Sequence, residues 1–324
     1  MSPQSYHLKL AKFQSLIALL FLCLALSILS DKFLTVDNGW NVLRQISVNI
    51  CISVGMTLVV LTAGIDLSVG SVLALSGAVC AGLLKSGIEL PENDLFIGFT
   101  MLGAILAGLL TGSLLGCFNG WVITKFRVPP FVATLGMLTI ARGFTMLWTK
   151  GYPISGLGNS FAFIGTGWFL GIPLLVWIAF VIVAGAVFIS NKTAFGRYIF
   201  AIGGNENASR LSGININKVK ILVYTIAGGL AAVGGIMVTS RLDSAQPNAG
   251  MSYELDSIAA VVIGGTSLSG GRGSIMGTVL GAVIIGVLNN GLVLLDVSPF
   301  WQQVVKGSVI LLAVIIDKAN SKAE

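Results

Sequence analysis

A chain of 324 residues would ordinarily form two soluble domains, at roughly 100–200 residues each. Its composition argues otherwise: 55% of residues are hydrophobic and 10% charged, with a mean hydropathy of +0.92. An ordinary globular chain carries about 25% charged residues, so a soluble enzyme and a disordered chain are both excluded. Long apolar runs must satisfy their backbone groups internally, which predicts an all-α membrane protein with residues 1–324 as a single transmembrane domain.

A spanning helix needs about 20 largely apolar residues. Runs of that kind lie near 14–30, 46–64, 67–84, 95–118, 130–149, 167–189, 221–240, 251–266, 274–295 and 300–316, which predicts about ten transmembrane helices. The first run has no small-residue cleavage site before Asp31 and Lys32, so it reads as a span and not as a cleaved signal. The eighth is the weakest. Its strongly apolar part, Ile258 to Gly265, is too short to cross about 30 Å. It must recruit Glu254 and Asp256 or stop partway.

The net charge of +6 is explained by topology. With the N-terminus inside, the inner loops hold Lys9, Lys12, Lys125, Arg127, Lys192, Arg197, Arg210, Lys218, Lys220, Arg272, Lys318 and Lys322. The outer ones hold Lys32, Arg44, Lys85, Lys150 and Arg241. Glu89, Glu92 and Asp94 cluster outside. This asymmetry predicts both termini in the cytoplasm, and it makes nucleic acid an unsuitable partner. Arg142 and Lys306 fall within runs. The former should face the bundle interior, because an arginine at mid-helix costs roughly 2.5–3.5 kcal/mol on insertion scales. The latter is near enough to a helix end to snorkel outward.

Cys23, Cys51, Cys80 and Cys117 sit in apolar runs without metal or disulfide spacing. The sole histidine, His7, lies in the N-terminal tail, so no histidine metal site or Ser-His-Asp triad is expected, and no catalytic residue is assigned. Gly108, Gly112, Gly116 and Gly120 recur every four residues, as do Gly273, Gly277 and Gly281. That spacing predicts closely packed helix faces.

Two segments resemble each other. One runs Gly64-Ile-Asp-Leu-Ser-Val-Gly70 and the other Gly265-Thr-Ser-Leu-Ser-Gly-Gly271. Gly64, Asp66, Ser68 and Gly70, with Gly265, Ser267, Ser269 and Gly271, are the residue types that break one helix and cap the next. In transporters such interruptions can mark the substrate pathway. With both segments on the same side in one orientation, turn-and-cap elements suffice.

The segment 190–220 is the longest cytoplasmic loop in this reading. Gly203-Gly204 should interrupt what precedes it. Asn205 is placed to cap a short helix, Glu206 favours its positive end, and Gly213 should end it. Ala208 and Leu211 are three apart and share a face. Such a helix suits docking in a groove, or lies on the membrane surface as a linker.

The run GRYIFAIGGNENASRLSGININKVKI at 196–221 resembles the coupling loop of bacterial sugar ABC importer permeases, within the branched-chain amino acid/sugar permease superfamily. GMTLVVLTAGIDLSVGS at 55–71, SAQPNAGMSYELDSIAAVVIGGTSLSGGRGS at 244–274 and NNGL at 289–292 resemble it too. The resemblance implies a bacterial inner-membrane permease homodimer with a vitamin-B12-importer-like fold. It implies a partner ATPase with two cassettes carrying ATP and magnesium, a periplasmic sugar-binding protein, and a sugar substrate, D-ribose ahead of xylose, galactose or arabinose. This chain has no GxxxxGK[ST] loop, so no cofactor is assigned to it. The family motif puts the cassette contact on Gly203, Asn205, Glu206, Ala208, Arg210, Leu211, Gly213 and Ile214. An ion-coupled carrier and a passive channel are the competing classes. Apart from Glu254 and Asp256, no acidic residue lies deep in a run, which disfavours a proton-coupled carrier.

Overall fold

The computed structural model describes residues 3–90 and 95–322, with side chains over 15–88, 96–312, 314 and 315. His7, Lys9, Lys12, Glu89, Glu92, Asp94, Lys318 and Lys322 therefore have no described side chains. The described chain is helical almost throughout. In order come α1 (Pro3–Leu29), α2 (Val36–Leu61), α3 (Val69–Ser86), the β1 (Ile88–Leu90) and β2 (Leu95–Ile97) hairpin, α4 (Met101–Phe126), α5 (Pro130–Thr149), β3 (Ile154–Ser155) and α6 (Asn159–Thr166). Then follow the β4 (Trp168–Phe169) and β5 (Ile172–Pro173) hairpin, α7 (Leu174–Lys192), α8 (Ala194–Gly204), α9 (Glu206–Leu211), α10 (Ile216–Leu242) and β6 (Ser244–Ala245). The chain closes with α11 (Tyr253–Ile263), α12 (Ile275–Leu294) and α13 (Pro299–Lys322).

Seven described helices are long and apolar enough to cross a membrane: α2, α3, α4, α5, α7, α10 and α12. The chain is a multi-pass helical membrane protein. The other three expected runs are helical as well, in α1, α11 and α13. The apolar part of α1 covers Ser15–Leu29. α11 has 11 residues, about 17 Å of helical rise, and turns at 251–252 and 264–265 make up most of the rest of the eighth run. α13, Pro299–Lys322, carries the tenth run. Two further boundaries are corrected. The run at 95–118 begins as strand β2, and α4 starts only after Thr100, whose side chain accepts from the Gly103 N–H. The run at 167–189 begins as the β4–β5 hairpin, with Leu170 and Gly171 at positive φ in its turn.

Contacts gather the chain into two compact units, Met1–Gly64 with Ala179–Ile214 and Leu255–Glu324, and Ile65–Ile178 with Asn215–Glu254. The second unit is built on α3, α4 and α10. The four-residue glycine stripe of α4 lies against them. A Cβ on Gly108 would press on the Ser76 carbonyl, one on Gly112 on Gly228 and Ala232, and one on Gly116 on the Tyr224 carbonyl. Small residues here let backbones touch, which is how helices gain contact area without a hydrophobic drive between them in lipid. At one end β3 pairs with β6, Ile154 opposite Ala245 and Ser155 opposite Ser244. The Asp243 carboxylate accepts from the Leu157 N–H at 2.9 Å.

The first unit is built on α2 and α12. Thr57 and Thr278 share a buried 2.7 Å hydrogen bond. Asn38 and Asn290 exchange amide hydrogen bonds of 3.1 and 2.9 Å. Gly277 and Gly281 lie against the backbone of Gly264 and Ala260, as the stripe predicted. Gly273 is a turn residue at φ 157°, outside that helix face. Lys306 is a correction. It does not snorkel outward but reaches Asp256 at 3.1 Å. Asp256 is 4% exposed and also accepts from Asn289 at 3.2 Å. A charge in this setting is tolerable when paired and hydrogen-bonded. The four cysteines are free thiols, Cys51 and Cys80 buried, Cys23 and Cys117 half-buried.

Candidate coupling segment and helix-break turns

The segment 193–215 is assembled by a chain of local caps. Thr193 opens α8, its hydroxyl accepting from the Gly196 N–H at 3.2 Å. Ile199 and Ile202 are the buried apolar side chains of α8. The helix continues through Gly203 and Gly204 and breaks one residue later than those glycines suggested, at Asn205. That residue serves both helices. Its N–H bonds the Ala201 carbonyl at 3.0 Å, closing α8, and its Oδ1 accepts from the Ala208 N–H at 2.9 Å, opening α9. Extended backbone at φ −159° and ψ 104° is the geometry an N-cap requires.

α9 ends as deliberately as it begins. Gly213 takes φ 84°, which only glycine adopts without cost. The Ile214 N–H bonds the Ser209 carbonyl and the Gly213 N–H bonds the Arg210 carbonyl, each at 3.1 Å. That pair of bonds is the Schellman closure. Ser209 is buried and bonds back to the Asn205 carbonyl at 2.8 Å. Glu206 and Arg210 pair at 3.4 Å while well exposed, so the pair adds little stability. Asn215 then caps α10 through the Lys218 N–H at 3.1 Å. The outcome is a six-residue helix, fixed at both ends, whose Leu211 is 90% exposed. Ala208, one turn earlier, is exposed beside it.

The two similar turns are built differently. In the first, Asp66 is 1% exposed. Its Oδ1 accepts from the Ser68 N–H at 2.9 Å and the Ser68 hydroxyl at 2.6 Å. Asn119 on α4 donates to the same hydroxyl at 3.0 Å, and Thr134 on α5 accepts from the Leu67 N–H at 3.2 Å. Burial pushes the Asp66 carboxyl above the usual carboxylate range, and the bonds from Ser68 draw it back. Helix α3 starts at Val69, so Gly70 lies inside it and packs on Gly250 and Glu254. In the second turn glycine does the work: Gly265, Gly270 and Gly271 sit at φ 81°, 84° and 71°. The Ser267 N–H bonds the Arg272 carbonyl at 2.9 Å. Ser269 contributes its N–H to Ser267 Oγ at 3.3 Å, and Ser274 caps α12 through the Gly277 N–H at 3.0 Å.

Of the expected residues, the structure brings Gly203 and Gly271 together, around the Leu61 carbonyl at the end of α2. Asp66 and Ser68 form a separate buried cluster with Asn119. Sequence reading missed Leu61, Asn119 and Thr134, since nothing local marks a helix-interior threonine or a terminal carbonyl as a partner of a distant turn. Arg142 is half-buried, as expected of an intramembrane arginine. Its Nη1 donates to the Pro247 and Ala249 carbonyls at 2.8 and 2.9 Å, so it holds the 246–250 segment in place.

An exposed, doubly capped short helix has the form of a docking knob, and the buried turns have the form of rigid corners. The chain is 52% identical to the ribose import permease protein RbsC of Haemophilus influenzae, over 94% of this chain and 92% of that one. It is 50% identical to RbsC of Bacillus subtilis over the same shares. With the xylose transport system permease protein XylH of Haemophilus influenzae the identity is 34%, over 95% of this chain and 96% of that one. No solved structure matches the chain. Residues 39–314 match the family described as branched-chain amino acid transport system / permease component, and with that coverage the chain belongs to this family.

Proposed function

We propose that the chain is the membrane-spanning permease subunit of an ATP-driven importer that carries D-ribose into the cytoplasm. It is a transporter subunit of the inner membrane and not an enzyme. Identity of about half to ribose import permeases, against about a third to a xylose permease, supports ribose over xylose. ATP and magnesium belong to the partner ATPase, and a periplasmic sugar-binding protein delivers the substrate. The permease acts as a homodimer, with about ten helices per chain in the vitamin-B12-importer type of fold and both termini cytoplasmic. The excess of basic residues in the inner loops supports that orientation. A reporter fused after Glu324 should be active in the cytoplasm and one inserted near Asn93 outside; a C-terminal fusion active as an external phosphatase would reverse it.

The observation that carries the mechanism is the presentation of Leu211 on α9. A leucine left 90% exposed on a helix fixed at both ends suits a groove in a cassette, where burying it is worth roughly 1.5–3 kcal/mol. Asn205, Glu206, Ala208, Arg210, Gly213 and Ile214 shape and orient that contact, while Gly203, packed on Leu61 and Gly271, seats α8 behind it. Nucleotide shifts the permease between states only through its different affinity for each. The pairing of Asp256 with Lys306 and Asn289 leaves it ill suited to be a proton relay, which disfavours a proton-coupled carrier.

Leu211→Asp would place an uncompensated charge in the docked groove. The variant should reach the membrane at normal levels, lose the ATPase subunit on purification, and lose ATP-driven ribose uptake in reconstituted vesicles. Tyr152→Ser, at an exposed position on another loop, should keep both. Full retention and uptake for Leu211→Asp would reduce α9 to a surface linker.

A further inference from the structure

α8 ends where three chain segments meet backbone to backbone. Leu61 is the last residue of α2, and its carbonyl has no partner further along that helix. It accepts instead from the Gly271 N–H at 3.0 Å. Gly203 lies over this bond: a Cβ there would overlap both the Leu61 carbonyl and the Gly271 amide. Gly270 closes the other side, where a Cβ would come within 2.9 Å of the Ala63 Cβ and 3.0 Å of the Gly203 carbonyl. The atoms that meet here are backbone atoms and one alanine methyl, which has no rotamer to change, so no rotamer change can absorb a displacement.

The joint is connected tightly in both directions. Toward α9 there is a single residue, Asn205, bonded to both helices. Toward the membrane-spanning core, α2 and α12 are joined by the Thr57–Thr278 bond and the Asn38–Asn290 pair, and the 264–273 turn runs directly into the Ser274 cap of α12.

We propose that this glycine joint passes the displacement of the coupling segment to α2 and α12, with Gly203 as a positioning residue. The proposal rests on the reading of α9 as the cassette-docking helix. Gly203 touches neither nucleotide nor sugar. It seats α8 on the α2 terminus closely enough that the two move together. On helix propensity alone alanine would be preferred to glycine at this site, so a defect in Gly203→Ala would come from the joint and not from a weakened helix.

The test uses the intact complex of permease, ATPase and binding protein in lipid nanodiscs and proteoliposomes. Gly203→Ala should retain the ATPase and keep basal ATP hydrolysis within about twofold of wild type. Stimulation of hydrolysis by ribose-loaded binding protein should vanish, and uptake should fall at least tenfold. Gly204→Ala, whose Cβ would meet nothing within 4 Å, should keep all of these. Normal stimulation and uptake in Gly203→Ala would overturn the joint while leaving α9 docking intact, because docking is read separately by ATPase retention in Leu211→Asp. Loss of ATPase retention in Gly203→Ala would also overturn it, since the residue would then shape the docking face. Should Gly203→Ala fail to accumulate, hydrogen exchange on the wild-type complex decides. A non-hydrolysable ATP analogue should change protection over 195–211 and 265–273 together, and a change in the first alone would sink the proposal.

Discussion

The turns at 62–68 and 264–273 share a Gly-x-x-Leu-Ser pattern and differ at Ile65/Thr266, Asp66/Ser267 and Val69/Gly270, the middle pair being the polar one. Where the first has Asp66, the second has Ser267. The carboxylate gathers the Ser68 N–H and hydroxyl around one oxygen, and Asn119 and Thr134 add bonds from α4 and α5. Among the described residues the Ser267 hydroxyl accepts only the Ser269 N–H, at 3.3 Å, and the second turn is bent by glycines at positive φ and closed mainly by backbone bonds. One corner is organised by side chains and sealed from water; the other is organised by backbone and leaves Ser269 and Arg272 exposed. A corner of the first kind resists motion at a cost in sensitivity to substitution. A corner of the second kind can seat another backbone directly, as it does with Gly203 and Leu61.

This contrast can be broken most sharply at Asp66. Asp66→Ala should destabilise the protein by about 2–4 kcal/mol, because buried donors are left without an acceptor. Asp66→Asn keeps the Oδ1 acceptor and should cost less than about 1 kcal/mol. Thermal unfolding followed by a thiol-reactive dye reports it, since Cys51 and Cys80 are buried until the fold opens. Equal midpoints for Asp66→Ala and wild type would show that the glycines alone shape this corner too.

Arg142 offers an intermediate case, a segment held by one side chain from a neighbouring helix. Arg142→Leu removes both donors to the Pro247 and Ala249 carbonyls. Polar bonds between membrane helices are worth about 0.6 kcal/mol on average and up to about 1.7, so a loss of about 1–2 kcal/mol is expected. Insertion should be unharmed, because an arginine penalty is removed. Hydrogen exchange over 244–252 should quicken; an unchanged rate would assign the segment's order to the backbone.

The smallest effect is expected at Ser267. Its hydroxyl accepts a single 3.3 Å bond from the Ser269 N–H in an exposed setting, so Ser267→Ala should lie within about 0.5 kcal/mol of wild type. A loss comparable to that of Asp66→Ala would mean that the two corners are alike after all.

How much of this was legible in advance depends on how far apart the partners lie in the chain. The caps of α9 could be read because Asn205 finds its donor three residues on and Gly213 closes bonds within the same turn. The α4 glycine stripe could be read as a packing face, but not its partners on α3 and α10. Ten apolar runs were visible, the eighth as the shortest of them, yet hydropathy did not mark where β2 and the β4–β5 hairpin would replace the helix.

The sequence by itself determined the membrane-protein class, the helical makeup and the short helix at 206–211, because apolar length and capping are satisfied by covalently near groups. Its family could be read there too, from long motifs that fall in these same corners. Only the tertiary structure decided that Lys306 turns inward to Asp256, that Asn119 and Thr134 complete the first corner, and that the Leu61 carbonyl is capped by Gly271 beneath Gly203. Each of these joins groups more than 45 residues apart, and a buried polar group takes whichever partner the packed helices deliver to it.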